Sequence, residues 1–278
     1  MNAEELLQGF SEVFGNVQAD GVFFAPGRVN LIGEHTDYNG GHVLPCALTM
    51  GTCVAARKRK DQTIRLYSCN IGESSYRETS LQADIRDGEH SWTYYPLGML
   101  RAIEVSGRKI PTGLDLYFCG DIPSGSGLSS SASLEIVTGV MAAELFALPG
   151  LDGPELARVG QYAENQFCGT KCGIMDQFAS VMGRQDQAIY LNTGDLSYDY
   201  APLPARDCQI IAVNSKVKHS LASSAYNDRR EECAQALRLL QSRYPLQDLC
   251  SCSPEQLEES RKLFPADGLL YRRAKHAV

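Results

Sequence analysis

Apolar residues recur at the three-to-four spacing of a buried helix face at the start of the chain, where Leu6, Leu7, Phe10 and Phe14 predict a helix over Ala3–Phe14 with Gly15 as its stop. The pattern then changes to apolar runs and alternation, so that Gly21–Ala25, Thr49–Arg59, Thr63–Ser68 and Leu114–Gly120 predict strands of a mixed sheet. Lys60-Asp61 reads as a hairpin turn, which makes Arg57-Lys58-Arg59-Lys60 a solvated strand end. Leu134, Val137, Met141, Leu145 and Leu148 step by three and four along a long amphipathic helix. Further helices are predicted over Pro154–Gln166 and from near Gly173, followed by paired strands at Ala188–Asn192 and Ser197–Pro202. Pro202-Leu-Pro204 marks the expected boundary between a domain of residues 1–204 and a second unit at 205–278. That second unit opens with a strand at Cys208–Asn214, continues in a charged helix around Asp228–Arg243, and ends in a polar helical tail after Ser253.

The 278 residues are 44% hydrophobic and 21% charged, which suits a globular protein and excludes a disordered or fibrous one. With 33 acidic against 26 basic residues the formal charge is −7, which argues against nucleic acid or an anionic membrane as partner. No run approaches the ~18 apolar residues of a membrane span, since Glu135 and Glu144 interrupt the most apolar segment. The acidic start Met-Asn-Ala-Glu-Glu lacks the character of a secretory signal, so a cytoplasmic place is expected. Ten cysteines scattered through a chain of this size read as free thiols, not as a disulfide framework.

Three segments carry chemistry. Pro123-Ser-Gly-Ser-Gly-Leu-Ser-Ser-Ser-Ala-Ser133 combines glycines, which let the backbone approach an anion, with the N–H groups of a helix start. It is neither a Walker sequence nor a dinucleotide fingerprint, and by itself it fits a Ser/Gly helix-capping turn equally well. Ala25-Pro-Gly-Arg-Val-Asn-Leu-Ile-Gly-Glu-His-Thr-Asp-Tyr-Asn-Gly-Gly41 crowds Arg28, Glu34, His35 and Asp37 into one loop, a set suited to a polyhydroxylated ligand because each carboxylate accepts two hydroxyl hydrogen bonds. Glu164-Asn-Gln-Phe-Cys-Gly-Thr-Lys-Cys-Gly-Ile-Met-Asp-Gln177 sets Asp176 among Ile174, Met175 and Phe178, where a partly desolvated carboxylate can act as base or orienting group. Cys168 and Cys172 lack a further Cys or His pair to complete a zinc site, and the five histidines show no metalloprotease spacing.

Together these segments resemble the galactokinase branch of the sugar, homoserine, mevalonate and phosphomevalonate (GHMP) kinase superfamily. Gly27–Gly41 is similar to the branch signature, Gly127-Leu-Ser-Ser-Ser-Ala-Ser133 to the superfamily phosphate loop, and Gly173-Ile-Met-Asp-Gln177 and Lys218-His-Ser-Leu-Ala-Ser-Ser-Ala-Tyr-Asn-Asp-Arg-Arg230 follow in the expected order. The resemblance implies an α+β, two-domain GHMP-kinase fold: a ribosomal protein S5 domain 2-like amino-terminal domain and an incomplete ferredoxin-like second domain. It implies transfer of the γ-phosphoryl of ATP to the anomeric hydroxyl of α-D-galactose, at the entry to galactose catabolism. Asp176 then takes or orients the hydroxyl proton, and Arg28 holds Asp176 ionised and offsets phosphoryl charge. Glu34, His35, Asp37, Gly173 and Tyr226 surround the sugar, and Mg2+ binds Ser131 and Glu164. Gly125, Ser126, Gly127, Leu128, Ser129, Ser130, Ser131, Ala132 and Ser133 hold the phosphates, with Trp92 and Tyr95 near adenine. The chain lacks a third Gly-rich motif like the Met-Thr-Gly-Ala-Gly-Phe-Gly-Gly of that family, and it reaches Tyr271–Val278 at what resembles the start of a helix leading into the rest of the second domain. The alternatives are an N-acetylgalactosamine kinase and a non-catalytic galactose-binding relative.

Overall fold

The computed structural model describes residues 2–72, 75–85, 92–123, 125–204, 209–213 and 222–278. In chain order the elements are α1 (Ala3–Phe14), β1 (Gly21–Asn30), β2 (His42–Val43), β3 (Pro45–Lys58), β4 (Thr63–Ser68), β5 (Tyr76–Ser80), α2 (Tyr94–Val105), β6 (Leu114–Gly120), α3 (Ser130–Leu145) and α4 (Gly153–Ala163). A π-helical turn (Glu164–Cys168) follows, then α5 (Met175–Met182), β7 (Gln187–Asn192), β8 (Tyr198–Pro202), α6 (Ala222–Gln241), α7 (Pro254–Glu259) and α8 (Leu269–Ala277). By internal contacts the chain divides into two compact units, neither continuous in sequence. The first is Met1–Val29, Ala47–Gly169 and Asp176–Gly183, and the second is Asn30–Cys46, Thr170–Met175 and Arg184–Val278.

The first unit is built on a five-stranded sheet ordered β1-β3-β6-β4-β5. Strand alternation sorts its side chains: Val54, Ala56, Leu116 and Phe118 enter the main core beneath α2, α3 and α4, while Ala55, Tyr117 and Cys119 face Leu6, Phe10 and Phe14 of α1. Helix α1 begins in a capping box between Asn2 and Glu5 and ends at Gly15, whose φ of +89° is left-handed. The predicted bounds hold, but Leu7 lies on the exposed side of the helix.

Four expectations are corrected. First, β6 lies between β3 and β4, antiparallel to one and parallel to the other, so Lys60-Asp61 joins strands that do not pair. Second, the basic run beside it is solvated only at Lys58 and Lys60, which are exposed, and not at Arg57 and Arg59. Arg57, Arg59 and Arg65 converge on the fully buried Asp115 of β6, with bonds of 2.5–3.0 Å. Burial raises the Asp115 carboxyl, but hydrogen bonds from Arg65, Arg59 and Arg57 outweigh it and hold the group below its ordinary range. Third, α3, packed against α2 and α4, is buried over consecutive positions 135–139, and it stops at Leu145, short of Leu148. Fourth, Cys69 and Cys119 form a disulfide with Cα atoms 5.3 Å apart, where free thiols were expected.

The second unit carries a three-stranded sheet, β2-β7-β8, in which the predicted strand pair is antiparallel with Ile189 opposite Tyr200. Its helical core gathers Cys233, Ala236 and Leu240 of α6 against Leu249, Leu257, Phe264, Tyr271 and Ala274. Residues 209–213 are not a strand, and Ile211 and Val213 are largely exposed; the ends of that predicted strand, Cys208 and Asn214, lie outside the described residues. Among the described residues no helix is long and apolar enough to cross a membrane.

Candidate active site

Arg28 extends from β1 and Asp176 from the first turn of α5. Nε of Arg28 donates to Oδ1 of Asp176 at 2.7 Å and Nη2 to Oδ2 at 2.8 Å, a bidentate pair that fixes the plane of the carboxylate. The remaining nitrogen, Nη1, donates to Gly127 O at 2.7 Å, tying the Ser/Gly loop to the same guanidinium. Ser129 Oγ donates to Asp176 Oδ2 at 2.6 Å. Ser129 holds a φ of +59°, shortly after Gly125 and Gly127, which are also left-handed. A serine in that conformation costs about 1 kcal/mol, and its hydrogen bond to a carboxylate more than offsets this. Because the Ser129 hydroxyl faces Asp176, it does not cap α3.

The loop opens onto a cavity of about 510 Å³. Trp92, Tyr95, Phe118 and Ile122 line an aromatic and apolar part of its wall, and Ser130 and Ser131 line a polar part. Trp92 meets Phe118 edge to face at 5.7 Å. Ser130 is exposed, whereas Leu128, Ala132 and Ser133 are buried. The Ser133 hydroxyl lies 2.8 Å from both Ala25 O and Thr52 Oγ1, inside the protein. Ser126 Oγ is buried with no hydrogen-bond partner among the described residues, an orphaned polar atom within the loop.

Glu164 sits where α4 passes into the π-helical turn, a distortion that re-aims side chains. It is buried, and Gln177 Nε2 donates both to Glu164 Oε2 at 2.7 Å and to Glu135 Oε2 at 3.0 Å. Burial, reinforced by the charge of Glu164, pushes the Glu135 carboxyl well above the ordinary range. Glu135 Oε1 makes no hydrogen bond among the described residues. A buried carboxylate and a serine hydroxyl are oxygen donors of the kind Mg2+ prefers, and among the described residues no cluster of three His, Cys, Asp or Glu side chains forms a fuller metal cage. This donor set fits an ion that completes its shell with phosphate and water.

The second unit assembles the other predicted residues. Asn30 Nδ2 donates to Glu34 Oε1 at 3.0 Å, and His276 Nε2 donates to Glu34 O at 2.7 Å. His35 has a φ of +64°, with Nδ1 2.7 Å from Tyr38 Oη and its carbonyl accepting from Asn39 Nδ2 at 2.7 Å. Burial, then the charges of His276 and Arg229, lower the pKa of His35. Asp37 packs so closely on Gly173 that a Cβ there would lie 1.9 Å from Oδ2. The Gly173 N–H donates to the Tyr226 hydroxyl, whose pKa burial pushes far up, so the phenol stays protonated. The Tyr226 ring lies 5.8 Å from that of His35. Glu34, His35, Asp37, Gly173 and Tyr226 thus form one group, as Arg28, Ser129 and Asp176 form another. Of the fourth matched segment, residues 218–221 lie outside the described residues.

Sequence reasoning missed the partners that hold these groups: Ser129 on Asp176, Gln177 and Glu135 beside Glu164, and Asn227, Arg230 and His276 in the second unit. Gln177 and Arg230 stood inside the matched segments without a role; nothing marked Glu135 or His276.

Residues 8–58 match the family described as the galactokinase galactose-binding signature, and residues 95–184 match the GHMP kinases N terminal domain. The chain is 47% identical over 278 residues to the galactokinase of Streptococcus mutans, covering 100% of this chain and 70% of that protein. It belongs to the galactokinase family. The galactokinase of Bacillus subtilis is 45% identical over 276 residues, again with 70% of its length covered. Among solved structures, Lactococcus lactis galactokinase complexed with galactose superposes with a TM-score of 0.92 at 40% identity, over 99% of this chain and 70% of that one. Methanococcus jannaschii mevalonate kinase superposes at 0.57 with 17% identity over 87% of this chain and 79% of that one, which shows the shared fold alone. The expected GHMP-kinase fold and the resemblance to galactokinases are both borne out, and the protein is a kinase.

Proposed function

We propose that the protein is a galactokinase that transfers the γ-phosphoryl of ATP to the anomeric hydroxyl of α-D-galactose. The observation that carries this reading is the bidentate Arg28–Asp176 pair, anchored to the phosphate loop through Gly127 O and Ser129 Oγ, in a chain that has the galactokinase signature. In the step, Asp176 accepts the proton of the sugar's O1 hydroxyl as O1 forms its bond to the γ-phosphorus. The bond from that phosphorus to the β-phosphate oxygen breaks, and ADP leaves. Arg28 fixes the carboxylate plane and faces the charge of the moving group.

Glu34, His35 and Asp37, with the Gly173 backbone and the Tyr226 hydroxyl, supply acceptors and donors for the sugar's remaining hydroxyls. Gly125–Ser133 receives the phosphates, and Trp92 and Tyr95 receive the adenine, in keeping with the mixed wall of the cavity they line. Ser131 and Glu164 would hold Mg2+, whose chemistry is charge neutralisation on the phosphate oxygens. Dependence on ATP suits a cytoplasmic enzyme.

The test is galactose-dependent ADP release with ATP and Mg2+, using glucose and N-acetylgalactosamine as controls. Galactose-selective turnover is expected, together with its loss by about 10³-fold or more in Asp176→Asn at unchanged galactose affinity. Equal turnover on N-acetylgalactosamine transfers the reading to that sugar, and retained turnover in a folded Asp176→Asn protein removes Asp176 from catalysis.

A further inference from the structure

Helix α6 holds the backbone that precedes Gly173. Arg230 Nη1 donates to Cys172 O at 2.7 Å and also to Lys171 O. One turn earlier, Asn227 Oδ1 accepts the Lys171 N–H at 3.1 Å, and Tyr226 accepts the Gly173 N–H. Three side chains within five positions of α6 therefore take up the polar groups of residues 171–173, a segment that lies outside regular helix or strand. The Arg230 guanidinium also lies 5.7 Å from the centre of the Tyr38 ring, and Tyr38 in turn contacts His35. Carbonyls bonded to a cation are held more strongly than those bonded to a neutral donor, and a guanidinium keeps its donors in a rigid plane.

We propose that Arg230 is a positioning residue for galactose: by gripping the carbonyls of Lys171 and Cys172 it sets where the Gly173 backbone lies, and through the Gly173–Asp37 contact, where the Asp37 carboxylate lies. The contact leaves no slack, since even a methyl group at Gly173 collides with that carboxylate. Arg230 itself does not touch the sugar. Loss of the grip lets the segment drift by a fraction of an ångström, which weakens hydrogen bonds whose strength falls steeply with geometry.

The inference rests on reading the Glu34, His35, Asp37, Gly173 and Tyr226 group as the galactose site. It is tested on the full 278-residue chain by calorimetric titration with galactose and by steady-state kinetics, in parallel for Arg230→Met and Arg230→Lys. Arg230→Met is expected to weaken galactose binding about tenfold and to raise the KM for galactose in proportion, with the KM for ATP and the melting temperature at parental values. Arg230→Lys restores part of the affinity, because an ammonium donates to both carbonyls without the planar fork. Parental galactose affinity in Arg230→Met overturns the proposal. So does a loss of galactose and ATP binding together, or failure of both variants to fold, since each assigns Arg230 to stability alone. Failure of the underlying reading looks different: the parent chain itself then shows no heat of galactose binding, and both statements fall.

Discussion

Arg28 and Asp176 stand 148 positions apart in sequence and meet as a two-bond fork, 2.7 and 2.8 Å, while the third nitrogen of the same guanidinium binds Gly127 O. One side chain thus fixes both the carboxylate and the phosphate loop. A lysine supplies the charge without the fork, so Arg28→Lys is expected to lower kcat about 10²-fold and to leave galactose affinity within about twofold of the parent. Single-turnover measurement of phosphoryl transfer beside galactose titration checks this, and an unchanged kcat would show that charge alone suffices.

Gly173 tests the other group. A Cβ there meets Asp37 Oδ2 at 1.9 Å, so Gly173→Ala must displace either the carboxylate or the backbone. The KM for galactose is expected to rise about tenfold or more, with the KM for ATP unchanged. Initial-rate kinetics with each substrate varied in turn decide it.

Asp115 separates stability from activity. It is fully buried beneath Arg57, Arg59 and Arg65, and its removal leaves three guanidiniums without their shared acceptor. Asp115→Ala is expected to lower the free energy of unfolding by about 3–5 kcal/mol, as for one partner lost from a buried ion pair. Urea denaturation measures the loss at neutral pH. The parent's folded-state pKa is held below the unfolded value, so the contribution is present above about pH 4 and fades as pH falls through the folded value.

Glu135 predicts the opposite slope. Its carboxyl titrates well above the unfolded value, so the folded state binds the proton more tightly and stability falls as pH rises from the unfolded pKa toward the folded one. Glu135→Gln removes that loss. Without divalent ions or nucleotide, the variant is expected to melt higher than the parent at pH 8, by a margin that narrows toward pH 4.5. A constant margin across that range would show that Glu135 does not titrate there.

The sequence determined the local structure with a strong signal of its own. The bounds of α1 follow from Asn2, Glu5, the spacing of Leu6, Phe10 and Phe14, and Gly15, all within one stretch of chain. The pairing of β7 with β8 was likewise legible, because a short turn leaves adjacent strands few other partners. The residues of the signature loop, the phosphate loop and the segment around Asp176 could be named from their types and order. What tertiary structure decided was every relationship that depends on distant residues arriving at one place. The sequence has no mark to show that β6 enters between β3 and β4, and so Arg57 and Arg59 looked like solvent-facing charges when they bind a buried aspartate. Cys69 and Cys119 meet only because β4 and β6 lie side by side. The grip of Arg230 on residues 171–172 and of His276 on Glu34 joins positions far apart in the chain, and hydrogen bonds of this kind leave no periodicity to read. Local pattern follows from the steric preferences of neighbouring residues, whereas these contacts follow from how helices and strands pack, which the whole chain settles at once.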